Sequence, residues 1–372
     1  VSSARPVTVS TPGKLILMGE HAVVYGRPAL VAAIDLRLTA RFTPVAGGEV
    51  HLDLPGLTHT ESLSWDDLRA YAAAVRERWD GYARQPGAAG FRAVRGEDPA
   101  HVVKVALGES FSPLSRVGGV RVGEGGQGGE GLLLRIDSDL PIGSGFGSSA
   151  ATATAVIAGC LLYHGHSAEP AVVERLALEV ERRQHGLPSG VDGATVLYGG
   201  VLWARKLPDG SLERERIAVR SPLLDRLRVY DTGTPSEPTG AVVAAVRERR
   251  DRDPAAVEAI LDRMEAATRA FRAVIESGGD PDQPLHLIRE HEACLEHLGA
   301  VPEETRAVIR RIEGEGGAAK ISGAGSLRGP GAGSLLVYDP DPERIAGWEF
   351  LRPFPFYPVH LGAPGFREEN SG

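Results

Sequence analysis

Several stretches of this sequence carry residue types suited to holding an anion and moving a proton. The central one is Asp139-Leu-Pro-Ile-Gly-Ser-Gly-Phe-Gly-Ser-Ser-Ala-Ala151. Residues 132–136 before it read as a strand. Residues 150–162 after it, nearly all Ala, Val, Ile, Leu and Thr, read as a buried helix. A glycine-rich turn feeding a helix leaves several backbone N–H groups unpaired and aligned, with the positive end of the helix dipole behind them. Such a turn either caps the helix or cradles phosphate. Gly143, Gly145 and Gly147 let the backbone approach an anion, and Ser148 and Ser149 add hydroxyls that cap the helix or reach a cation held on phosphate. No Gly-Lys-Ser/Thr follows, so this is not a Walker loop, and the glycines are spaced too tightly for a dinucleotide fingerprint.

Lys14, Glu20 and His21 flank the apolar run Leu15-Ile-Leu-Met18. Polar groups at the ends of a buried strand face a cleft, although each one singly also fits a surface lysine or a structural histidine. Glu181 falls near the end of a helix that begins at Ser167-Ala-Glu-Pro170 and shows apolar Val172, Val173, Leu176 and Val180. A carboxylate there opposes the dipole and is either an exposed charge or the partner of a cation. Pro188 and Gly190 break that helix and place Asp192 on the loop after it. The apolar residues 194–203 beyond read as a strand-like pair, and a carboxylate entering such a region requires a partner. A second glycine-rich loop, 322–333, joins runs 318–321 and 334–338.

The elements that must position these groups read as follows. Strands are expected at 7–10 and 15–18 with a turn at 11–14 between them, at 40–43 and 49–54, and at 117–122 pairing with 132–136 around the glycine-rich loop 123–131. Ser64-Trp-Asp-Asp67 looks like a capping box opening a helix to about residue 79, and Asp98-Pro-Ala opens another through 107. Helical periodicity is clear at 256–275, 285–298 and 305–312, with a short helix at 342–348 and a last strand at 356–361. The change of character near residue 220 suggests two domains, 1–220 and 221–372, in an α+β protein.

With 372 residues, 42% hydrophobic and 24% charged, the chain has the composition of a soluble globular protein. A net charge of -8 disfavours nucleic acid and anionic membranes as partners. No apolar run reaches membrane-spanning length and the first residues lack a secretory apolar core. Cys160 and Cys294 are expected as buried thiols, and a cytoplasmic location is the default.

Three motifs, in this order, resemble those of the GHMP small-molecule kinases: Pro12-Gly-Lys-Leu-Ile-Leu-Met-Gly-Glu-His-Ala-Val-Val-Tyr-Gly26, Pro141-Ile-Gly-Ser-Gly-Phe-Gly-Ser-Ser-Ala-Ala151 and Lys320-Ile-Ser-Gly-Ala-Gly325. Ala22-Val-Val-Tyr25 in place of Thr-Asp-Tyr, together with the stretch from Glu181 through His185-Gly-Leu-Pro-Ser-Gly-Val-Asp192, is similar to the mevalonate-phosphorylating branch. The resemblance implies an N-terminal domain like domain 2 of ribosomal protein S5, a C-terminal ferredoxin-like domain, and an active site in the cleft between them. It implies MgATP as phosphoryl donor and the C5 hydroxyl of mevalonate as acceptor. Asp192 matches the family's general base and Lys14 its charge-stabilising partner. Glu20 and His21 match the substrate side, Ser149 and Glu181 the Mg²⁺ ligands, and Gly143, Ser144, Gly145, Phe146, Gly147, Ser148, Ser149, Gly323 and Gly325 the ATP-phosphate contacts. Family members often form homodimers. Another acceptor within the family, phosphomevalonate or a sugar, and a catalytically silent nucleotide-binding protein are the competing readings. The third motif departs from the pattern: Ser326-Leu-Arg-Gly-Pro330 intervenes, and Arg328 there either reaches a phosphate or tips a solvated loop.

Overall fold

A computed structural model describes residues 5–84, 94, 96–111, 130–186 and 188–369. The strand expected at 117–122 and most of the loop 123–131 lie outside these residues. The first part of the chain runs β1 (Val7–Met18), β2 (Pro28–Ala46), β3 (Glu49–Leu54), β4 (His59–Ser64), α1 (Trp65–Arg84), α2 (His101–Glu109), β5 (Glu130–Ser138), α3 (Ser148–Tyr163), α4 (Pro170–His185), α5 (Val191–Tyr198), β6 (Val201–Lys206) and β7 (Leu212–Ile217). The rest runs β8 (Leu227–Asp231), α6 (Thr239–Arg252), α7 (Pro254–Ser277), α8 (Gln283–Leu298), α9 (Glu303–Gly314), β9 (Ala318–Ser322), β10 (Ser334–Tyr338), α10 (Pro342–Ala346), β11 (Phe356–Tyr357) and β12 (Arg367–Glu369). The α+β class read from the sequence is the observed one.

One sheet has the order β12-β1-β2-β5-β3-β4, with β6 and β7 branching from β2, and a second has the order β11-β8-β10-β9. The chain's last strand therefore returns to the first sheet, where Thr8 faces Glu369 across the β1–β12 pair. The long β2 holds the first sheet together because it pairs with β1, β5 and β6 along its length.

Two local readings change. β1 is one strand rather than two runs joined by a turn. Pro12 and Gly13 are absorbed as a bulge in its pairing with β2, which is how a strand interior tolerates a proline. Residues 194–203 are not a strand pair. They are most of α5 followed by the start of β6, so Asp192 sits in the first turn of a helix. A short apolar run does not distinguish buried helix from buried strand by period alone. The capping box at α1 is present in full: Asp67 N–H donates to Ser64 Oγ at 3.1 Å and Ser64 N–H donates back to Asp67 Oδ2 at 3.0 Å.

α3 is apolar nearly all round because it is buried on all sides, packed against β1, β2, α2 and α4. Its position relative to β1 is pinned at two points. Thr11 Oγ1 donates to the Ala151 carbonyl at 3.0 Å, and Lys14 N–H donates to the Phe146 carbonyl at 2.9 Å. The glycine-rich turn is thereby held against the strand that carries Lys14. Among the described residues no helix is long and apolar enough to cross a membrane.

Candidate active site

A cavity of about 700 Å³ opens where the 139–147 turn, the end of β1, the end of α4, the start of α5 and the loop after β9 converge. Its wall includes Gly143, Gly145, Phe146, Gly147, Ser148 and Ser149. Gly145 and Gly147 hold left-handed backbone, at φ 83° and 81°. A Cβ on Gly145 would sit 2.8 Å from the Ser322 carbonyl, and one on Gly147 would sit 2.7 Å from Lys14 Cγ. Glycine is required here both by conformation and by close approach. The turn is braced from behind by the second sheet, where Ser334 N–H donates to the Ser144 carbonyl at 2.8 Å.

Lys14 and Asp192, nearly 180 residues apart in sequence, form an ion pair at 3.1 Å. Lys14 is 4% exposed and Asp192 34%, so the lysine is fixed and the carboxylate reaches the cavity. Asp192 also lies in the first turn of α5, where the helix dipole favours negative charge. Glu181 is buried, and its Oε1 has no hydrogen-bond partner. Burial and the nearby Asp192 push its carboxyl up to about 8, only partly offset by the Gly193 backbone N–H and then by Lys14. Ser149 Oγ lies 2.9 Å from His185 Nε2, at the end of the same helix that carries Glu181. A hydroxyl, a buried carboxylate with an unused oxygen and an adjacent second carboxylate form a donor set that fits a hard divalent cation. A different acidic group, His59, Glu61 and Asp98, brings its ligand atoms within 4.8 Å of one another. Lys104 already occupies that position, donating to Glu61 at 2.7 Å and Asp98 at 2.8 Å.

Glu20 and His21 line the cavity, but both side chains are engaged by the third motif. Glu20 is ion-paired with buried Lys320, and His21 Nε2 lies 2.9 Å from the Ala324 carbonyl. His21 holds φ 57°, a strained conformation for histidine. Behind them Gly19 N–H donates to His291 Nε2 at 2.8 Å, and Ile321 N–H donates to Glu292 Oε2 at 3.0 Å. Gly323 and Ala324 reach the wall. Ser144 and Gly325 do not: Ser144 is buried behind the turn, and Gly325 packs on the Ala300 carbonyl with no room for a side chain. Phe146 contributes backbone only, since its ring is buried and packs on Tyr357 at 5.0 Å. Arg328 is 84% exposed and bound to Glu237 at 2.9 Å. Glu237 also accepts from Ser326 Oγ at 2.7 Å and from Leu327 N–H at 3.1 Å. Burial raises its carboxyl, but these three donors outweigh it and hold it below the usual range.

The GHMP kinases N terminal domain profile matches residues 116–200, a span that holds the glycine-rich turn, Glu181 and Asp192. Over 396 aligned residues the chain is 30% identical to the mevalonate kinase of Bos taurus, covering 96% of this chain and 93% of the bovine protein. The chain belongs to the GHMP kinases, in the mevalonate kinase group. It is 27% identical to the mevalonate kinase of Methanothermobacter thermautotrophicus, with 90% of each chain covered. In structure it resembles the L. major mevalonate kinase solved in complex with R-mevalonate, at a TM-score of 0.67 and 21% identity over 98% of each chain. As a GHMP kinase it is an enzyme with the S5-like and ferredoxin-like halves of that fold. Sequence reasoning gave no role to Lys320, His291, Glu292, His185 or Glu237. The first three are distant in sequence from Glu20 and His21, and no periodicity announces a buried charge network. His185 was visible within the Glu181–Asp192 stretch, but its partner Ser149 is set by packing.

Proposed function

We propose that this chain transfers the γ-phosphoryl group of MgATP to the C5 hydroxyl of mevalonate, giving 5-phosphomevalonate. The observation that carries the reading is the Lys14–Asp192 pair, 3.1 Å apart and opening on the cavity lined by the glycine-rich turn. It is supported by relatives named mevalonate kinase along almost the whole chain, and by likeness to a structure that holds R-mevalonate.

In this reading Asp192 accepts the proton of the attacking hydroxyl as the oxygen approaches phosphorus. Lys14 balances the charge that gathers on the attacking oxygen and the transferring group, from a buried position where that interaction is strong. The N–H groups of Gly143 and of Gly145 to Ser149 orient the donor's phosphates, and Gly323 backs them. Ser149 and Glu181 would hold the Mg²⁺, which would neutralise phosphate charge. Glu20 works through Lys320 to brace the turn that presents His21 to the acceptor. A division into units 1–220 and 221–372, with β12 crossing back to the first sheet, would put the cavity between them, and the buried free thiols Cys160 and Cys294 suit a reducing cytoplasm.

A coupled assay of ADP release tests the reading with mevalonate, phosphomevalonate and hexoses as acceptors. Turnover is expected with mevalonate. Silence with mevalonate beside turnover of another acceptor would overturn it.

A further inference from the structure

Ser149 stands at the second position of α3, beyond the N-cap, so its hydroxyl does not serve to cap its own helix. The N-cap position is Gly147 and no side chain caps the helix, while the Ser149 hydroxyl lies 2.9 Å from His185 Nε2 on another helix. His185 ends α4, one turn beyond Glu181, so the two share a helix face. That end is fixed: Gly186 N–H donates to the Arg182 carbonyl at 2.8 Å, and the Trp79 indole N–H reaches the Gly186 carbonyl at 3.4 Å. The backbone that carries the imidazole is thereby held in place.

We propose that His185 is a positioning residue: it accepts the Ser149 hydroxyl proton and so turns the Oγ lone pairs toward Glu181 and the cation. This rests on the reading of Ser149 and Glu181 as cation ligands. A hydroxyl has one proton and two lone pairs. A neutral ligand hydroxyl serves a cation best when its proton points away, and an acceptor opposite the cation enforces that orientation before the metal arrives. Removing such an outer partner costs metal affinity even though the ligand itself remains.

The probe is Mn²⁺, titrated into the protein bound to a non-hydrolysable ATP analogue, with free Mn²⁺ read by electron paramagnetic resonance. His185→Phe keeps an aromatic ring without an acceptor and should weaken Mn²⁺ binding about tenfold. His185→Gln restores an acceptor oxygen and should recover most of that loss. Ser149→Ala should weaken binding on its own, and adding His185→Phe to it should cost little more, because the hydroxyl to be oriented is gone. If His185→Phe does not fold, as judged by circular dichroism, His185→Ala takes its place. Wild-type Mn²⁺ affinity in the His185 variant beside weakened binding in Ser149→Ala overturns the role of His185 and leaves the cation site standing. A glutamine variant as weak as phenylalanine also overturns it. Unchanged affinity in Ser149→Ala removes the cation reading itself.

Discussion

Asp192 and Lys14 are meaningful only as a pair, because Asp192 alone would set a second carboxylate beside buried Glu181 and Lys14 is itself a buried cation. Asp192 enters a region already holding a second carboxylate, and Lys14 is the cation that makes this tolerable. Asp192→Asn keeps the shape and removes the proton acceptor. It should lower kcat about 10²–10⁴-fold while nucleotide affinity, measured by calorimetry, stays near wild type. A variant with wild-type kcat would remove Asp192 from the chemistry.

At the scale of elements, the first and third motifs are one assembly. β1 and its following turn meet β9, the loop after it and α8 through Lys320–Glu20, His291–Gly19 and His21–Ala324, while Glu292–Ile321 ties α8 to β9. Both members of the Lys320–Glu20 pair are 1% exposed, so breaking it leaves a buried charge. Lys320→Met should cost about 3–5 kcal/mol in urea unfolding. Adding Glu20→Gln should return part of that loss, and a strictly additive double variant would mean the two do not share one interaction. The inserted tip of the third motif makes a contrasting case. Arg328 is solvated, and Arg328→Ala should leave stability and KM unchanged. Glu237 makes three contacts to the tip and lines the cavity, so Glu237→Ala should raise the KM for ATP with little change in Tm. Equal effects of the two variants would show that the tip is not anchored by Glu237.

At the scale of the whole molecule, burial leaves a signature in pH. Glu181 and Glu292 are both pushed up to about 8, chiefly by burial. A carboxyl with a raised folded-state value binds its proton more tightly when folded, so its contribution is present at low pH and is lost as pH climbs from about 4.5 toward 8. Buried His21 and His291 are shifted downward from 6.5 by burial, which has the opposite slope but acts only below about 6.5. Between about pH 6.5 and 8 the carboxyls therefore dominate. Without nucleotide or divalent cation, stability should fall across that window. Glu292→Gln, which keeps an acceptor for Ile321 N–H, should flatten the fall by up to about 1.4 kcal/mol per pH unit. Denaturant midpoints collected across the window decide this, and identical slopes for wild type and variant would contradict a buried, protonated Glu292.

Local chemistry explains what was legible beforehand. A capping box is written in four consecutive residues, and Ser64 and Asp67 make it as read. The glycine-rich turn, the apolar helix after it, and Glu181 near the end of α4 are likewise contiguous signals. The types of group that meet in the cavity were therefore set by the sequence alone. Their partners were not. Asp192 was read onto a loop and lies in a helix, because a short apolar run has no period that separates helix from strand. Glu20 was read as open to substrate and is paired with Lys320, 300 residues away. Ser149 was matched to a metal, and only packing of α4 against α3 brought His185 onto its hydroxyl. Hydrogen bonds and ion pairs depend on distances of a few ångströms, and those are fixed by how apolar faces bury against one another, which the order of residues does not state.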